Sequence, residues 1–111
     1  MCGIYGSTLK YGEEIIRNKL AHIHFRGPDF SAFSQYDKVI LGHNRLSIID
    51  LDPRSNQPFK YQHLKIVFNG EIYNYQEVKN TLLKKGYSFE TGSDTEVICA
   101  AYLAYGAECV K

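Results

Sequence analysis

The sequence has no block of like charge, no pairable set of cysteines and no long apolar run, and each absence removes a class of protein. The 13 basic and 12 acidic side chains are interspersed over 111 residues, leaving a formal net charge of +1. No footprint for nucleic acid or an anionic membrane is therefore expected. Cys2, Cys99 and Cys109 form an odd set without metal-type spacing, which argues against a disulfide framework and a zinc site. They read as free thiols. The longest apolar run, Val97 to Tyr105, is far shorter than the roughly 20 residues of a membrane-spanning helix. The N-terminus also lacks the basic and apolar regions of a secretory signal. The expectation is a cytoplasmic protein whose partners are small molecules or proteins.

What is present reads as one globular domain. Hydrophobic residues make up 44% and charged residues 23%, both ordinary for a folded chain, and the length allows a modest core. Cys2 to Ser7 reads as a strand, and Ile16, Leu20 and Ile23 line one face of a helix over Glu13 to His24. Arg26-Gly27-Pro28-Asp29 is a turn signal. Phe30 to Tyr36 and Val39 to Ile49 read as antiparallel strands joined by a turn at Asp37-Lys38. Asp50 to His63 carries Pro53 and Pro58 without periodicity and reads as a long loop, and Leu64 to Phe68 as a strand. Asn74 and Glu77 form a capping-box pattern for a helix facing inward with Tyr75, Val78 and Leu82 and stopped by Gly86. Ser93 and Glu96 repeat the pattern for a helix that ends before Gly106.

Cys2 is the first candidate for chemistry. Removal of the initiator methionine would leave one residue with both a thiol and a free α-amine. These have pKa values of about 8.5 and about 8, so moving a proton between them costs only about 1 kcal/mol. Taken alone, Cys2 reads first as a small buried strand residue. Arg45 alone is a strand-end charge, Asp94 a helix cap, Asn69-Gly70 a hairpin turn and Glu71 an exposed carboxylate. His22, His24, His43 and His63 have no mutual spacing that suggests a metal. His43 reads as a strand residue with a satisfied ring.

Five segments change the weight of these alternatives: Met1-Cys2-Gly3-Ile4, Arg26-Gly27-Pro28-Asp29, His43-Asn44-Arg45-Leu46-Ser47-Ile48-Ile49-Asp50, Asn69-Gly70-Glu71-Ile72-Tyr73-Asn74 and Thr91-Gly92-Ser93-Asp94-Thr95-Glu96. In order and spacing they resemble the class II glutamine amidotransferase domain of glutamine-hydrolysing asparagine synthetases. The resemblance implies that Cys2 is the nucleophile and that the Asn69 side chain and Gly70 N–H form an oxyanion hole. Arg45 would bind the α-carboxylate of L-glutamine, and Asp94 and Glu71 its α-amine. A guanidinium fork suits a carboxylate, and preorganised donors suit a developing oxyanion. The Arg26 to Asp29 turn would be architectural. Phe25 stands where the family usually has histidine, a departure that touches no catalytic role.

The resemblance further implies an α+β fold, the N-terminal part of an αββα sandwich of antiparallel sheets of the N-terminal nucleophile hydrolase kind. Residues 1–111 would be a glutamine amidotransferase type 2 domain truncated at its C-terminal side, with the synthetase domain absent. No cofactor or metal is expected for the glutaminase step. ATP and Mg²⁺ would enter only through a synthetase domain acting in cis or in trans. An incomplete sandwich would expose apolar faces and strand edges, so poor autonomous stability or homo-oligomerisation is expected. Three alternatives stay open: an inactive fragment or interaction module, an N-terminal nucleophile amidohydrolase acting on a different amide, and an amidotransferase domain serving another acceptor.

Overall fold

The computed structural model describes residues 1–48 and 50–111, and within them the fold is α+β with two small antiparallel sheets. β1 (Gly3–Ser7), β2 (Phe30–Gln35) and β3 (Ile40–Arg45) form the first sheet in the order β1-β3-β2, with Gly3 opposite Asn44 and Phe30 opposite Arg45. α1 (Glu13–His22) lies across one face. Its Ile16 and Leu20, one turn apart, bury with Ile40 of β3 as the first apolar cluster. Gly42 lets the helix approach, because a Cβ there would lie 3.0 Å from a methyl of Leu20. Asn44 fastens the same contact by donating to the Leu20 carbonyl at 2.7 Å, where α1 is about to end.

The second sheet is a hairpin of β4 (Phe59–Tyr61) and β5 (Leu64–Ile66). It packs with α2 (Tyr75–Lys84) on α3 (Asp94–Tyr105), and Phe59, Tyr61, Leu82, Val97, Cys99, Ala100 and Ala101 form the larger cluster. Each fully buried aliphatic chain such as Leu82 contributes about 1.5–3 kcal/mol. β4 falls inside the stretch expected to be loop. A three-residue strand is too short to show period-two alternation, and its turn sits at Gln62, whose φ is 51°. The expected third strand ends at Arg45, and Ile49 lies outside the described residues.

The caps differ from the sequence pattern as well. Asn74 makes no side-chain cap bond. Ser93 does cap α3, accepting from the Thr95 N–H at 3.1 Å. Glu96, however, does not reach back to Ser93 but accepts from the amides of Glu90 and Thr91 at 2.9 and 2.8 Å. A buried carboxylate facing two unpaired amides of the incoming loop satisfies more donors there than in a capping box. The glycines at the ends of the last two helices, Gly86 and Gly106, take the positive φ expected of helix stops.

The turn ending at Asp29 is architectural in a definable way. Gly27 passes against β3, where a Cβ would lie 2.5 Å from the Asn44 carbonyl carbon and 2.7 Å from that of Arg45. The neighbouring Asp29 N–H then bonds to the Arg45 carbonyl at 2.9 Å. Backbone cannot yield as a side-chain tip can, so Gly27→Ala is expected to cost about 3 kcal/mol, the upper end of ordinary overpacking. Chemical denaturation of the purified variant checks this, and a midpoint equal to the parent's would refute the close approach.

Candidate active site

Ten buried apolar residues are matched by ten buried polar ones among the described residues. Most of the latter gather where the end of β3, the Asp50–Gln57 stretch, and the start of α3 meet. A cavity of about 380 Å³ opens there, lined by Cys2, Arg45, Asp50, Gln57, Asn69, Gly70, Glu71 and Asp94, among others. All six residues singled out from the sequence thus share one cavity.

Cys2 reaches it because β1 pairs with β3. That register sets the sulfur beside the residue following β3, and the Leu46 N–H points at Sγ from 3.3 Å while Sγ lies 3.6 Å from the Leu46 carbonyl. The N–H offers a hydrogen bond that strengthens as the sulfur becomes negative. Arg26 holds the Cys2 carbonyl through Nε at 3.1 Å. Met1 is attached, exposed and part of the cavity lining, so the Cys2 nitrogen is here a peptide nitrogen.

Arg45 ends β3 and is only 7% exposed. Its guanidinium donates to the carbonyls of Asp50 and Asp52 and to Asn56 Oδ1 at 2.6 Å. At least three of its five N–H groups therefore hold the following loop, a second task that the strand-end reading does not anticipate. Asp50 continues the bracing, since its carboxylate accepts from the Asp52 amide, the Ser55 hydroxyl and the Gly92 amide at 2.7–2.8 Å. These bonds, the Asp52 amide foremost, keep its carboxyl below the usual range. The loop after β3 is thereby tied to the start of α3.

Asp94 is the first residue of α3 and 6% exposed. The cap falls to Ser93, leaving Asp94 Oδ2 to accept from the Ile72 N–H at 3.1 Å. Burial raises its pKa, and the neighbouring Glu71 carboxylate adds to the rise. A buried carboxylate in that state favours a cation beside it. Asn69 and Gly70 follow β5 and lead into α2 rather than into a partner strand. The hairpin-turn reading of Asn-Gly therefore does not hold. Gly70 lies against the Phe68 ring, whose nearest atom would be 2.8 Å from a Cβ, and Glu71 stands exposed at the cavity's edge.

A family model described as a glutamine amidotransferase domain matches residues 1–111. The chain belongs to that family. It is 42% identical over 120 residues to "Asparagine synthetase [glutamine-hydrolyzing] 1" of Bacillus subtilis (strain 168), covering 100% of this chain and 19% of that protein. It is 37% identical over 135 residues to a "Putative asparagine synthetase [glutamine-hydrolyzing] 2" of Methanocaldococcus jannaschii, covering 100% of this chain and 25% of that protein. A further relative is "Amidase chry2" of Gibberella zeae, 42% identical over 102 residues, covering 88% of this chain and 15% of the relative. The chain thus spans a quarter or less of the length of these relatives.

The sequence reading of this glutamine amidotransferase domain missed Gln57, His43, Asp50 and Arg26. Gln57 lay in a stretch read only as loop, and Asp50 closed one of the five segments without being given a role, although a Gln before Pro58 and an Asp at a loop start both carry groups that can satisfy a turning backbone. His43 lies on β3 with no exposure. Its Nε2 is 3.3 Å from the Phe68 carbonyl, which can only accept, so Nε2 carries the proton. Nδ1 then has no partner among the described residues, so the ring is half satisfied rather than satisfied.

Burial pushes the His43 pKa from 6.5 down to about 4, with the Arg45 charge adding to the fall against the Phe68 bond. Between these values the unfolded chain binds a proton that the folded chain refuses, so stability rises with pH across that window and falls as pH drops from 6.5 to about 4. Melting temperatures of the parent and His43→Gln measured across that range should converge toward the acid end. An unchanged difference between them would contradict the buried neutral ring.

Proposed function

We propose that this glutamine amidotransferase domain hydrolyses L-glutamine to glutamate and ammonia through a Cys2 thioester. The convergence of Cys2, Arg45, Asn69, Gly70, Glu71 and Asp94 on one cavity carries the reading. Removal of Met1 frees the Cys2 α-amine to take the thiol proton. The thiolate attacks the side-chain carboxamide carbon of glutamine, whose oxygen becomes an oxyanion facing the Asn69 amide and the Gly70 N–H. Collapse expels ammonia, which leaves with the proton returned by the α-ammonium. Water, activated by the same amine, then cleaves the thioester to glutamate and restores the thiol.

Recognition follows the two ends of the amino acid. The guanidinium of Arg45, oriented by its loop bonds, pairs with the α-carboxylate. Asp94, raised by burial, gains the ammonium that favours its ionised form, and Glu71 joins it from the cavity's edge. No cofactor takes part in this half-reaction. The ammonia serves asparagine synthesis in a synthetase domain, as the names of two relatives suggest; ATP and Mg²⁺ enter only through that domain, and the protein works in the cytoplasm. The sheet face opposite α1, where Ile4 and Phe30 are 49% and 41% exposed, packs against further strands of a longer protein to complete an αββα sandwich.

Glutamate release by the full-length protein tests the reading. Cys2→Ala should abolish it, and Asn69→Ala should lower kcat about 10²–10³-fold, as expected for one oxyanion donor. Glutamine hydrolysis by Cys2→Ala at the parent rate would discard the mechanism.

A further inference from the structure

Phe68, the residue just before the oxyanion donors, is gripped on both sides by buried side chains. Its N–H donates to Gln57 Oε1 at 2.6 Å, and its carbonyl accepts from His43 Nε2. The other end of the same Gln57 amide donates to Thr95 Oγ1 at 3.2 Å. Gln57 is 7% exposed and Thr95 2%. One carboxamide therefore spans the wall that carries Asn69 and Gly70 and the wall that carries Asp94. The spanning group needs an acceptor toward a backbone N–H and a second polar atom toward a hydroxyl that can either accept or donate, which a glutamine side chain supplies and an aliphatic one cannot. The large majority of buried side-chain polar atoms are hydrogen-bonded, and here both ends of the Gln57 amide are, with neither bond serving a helix or a sheet ladder.

We propose that Gln57 is a positioning residue for glutamine hydrolysis, holding the oxyanion donors of Asn69 and Gly70 in register with the ammonium-binding wall at Asp94. The inference rests on the glutaminase reading above. Without the Gln57 amide the Phe68 N–H loses its partner, and the Asn69-Gly70 segment can shift. Donors aimed at the oxyanion act only when negative charge develops on the carboxamide oxygen, so their displacement slows turnover without weakening substrate binding.

The test is steady-state glutamine hydrolysis by the full-length protein, with iodoacetamide alkylation of Cys2 as a measure of an intact, folded thiol. Gln57→Met should lower kcat about 10–100-fold with KM within about threefold of the parent, the scale set by displacement of a reacting geometry. Alkylation of Cys2 should proceed at the parental rate. Gln57→Glu should recover most of the loss, because its carboxylate accepts from Phe68 while the Thr95 hydroxyl turns to donate. A kcat for Gln57→Met within about twofold of the parent, or a rise in KM alone, would overturn the proposal by the same kinetic logic. If Gln57→Met does not fold, Thr95→Val and Thr95→Ser decide. Lower kcat in the valine variant with recovery in serine supports the coupling, and equal kcat in both overturns it. A parent protein without glutaminase activity would overturn the function reading and this inference together, whereas an active parent with an equally active Gln57→Met overturns only this one.

Discussion

Antiparallel pairing of β1 with β3, in the register that sets Gly3 opposite Asn44, is the constraint on which the cavity depends. Shifting that register by one residue would turn every side chain of β1 to the opposite face. Cys2 would then leave the Leu46 N–H, and Gly3, whose Cβ would sit 3.1 Å from the Ile23 side chain, would no longer face the end of α1. β3, against which β1 pairs, is held from the sheet face turned toward α1. Ile16 and Leu20 bury against Ile40 beneath it, and Asn44 ties β3 both to the Leu20 carbonyl and to the Ser31 hydroxyl.

The rest of the site is assembled by polar contacts between the two apolar clusters. Arg45 fixes the loop that follows β3, Asp50 ties that loop to Gly92, and Gln57 joins Phe68 to Thr95. Such contacts contribute modestly to net stability, but leaving one partner unpaired in a buried position costs about 1–3 kcal/mol. Their geometry is therefore strongly specified, which suits donors and carboxylates that must be aimed before a substrate arrives. The three ion pairs found among the described residues, such as Arg17 with Glu13, are exposed and contribute little to holding the fold.

Much of this architecture was legible in the residues themselves. Helix faces such as Ile16-Leu20 and the glycine stops at Gly86 and Gly106 obey local rules, and local rules can be read from a sequence. The six candidate residues could also be singled out once five spaced segments were taken together, and the fold brings all six to one cavity. What could not be read were side chains whose partners lie outside any periodic pattern. Glu96, whose partners are near in sequence, looked like a capping-box residue because the competing amides of Glu90 and Thr91 lie in the loop before the helix and outside any helical pattern. Gln57 and His43 meet Phe68 from 11 and 25 residues away, a distance no periodicity encodes. β4 escaped because three residues are too few to reveal alternation. Arg45 was assigned one task, whereas the folded chain shows it bracing the Asp50–Asn56 loop beside the same cavity.

The central claim is that Cys2, freed of Met1, carries the glutamyl group during turnover. Acid quenching of the full-length protein during glutamine hydrolysis, followed by mass analysis of its N-terminal peptide, tests this most directly. The account predicts a peptide that begins at Cys2 and carries a glutamyl increment on that residue, lost once substrate is exhausted. Sustained turnover by protein that retains Met1 throughout, or with the increment on another residue, would contradict it.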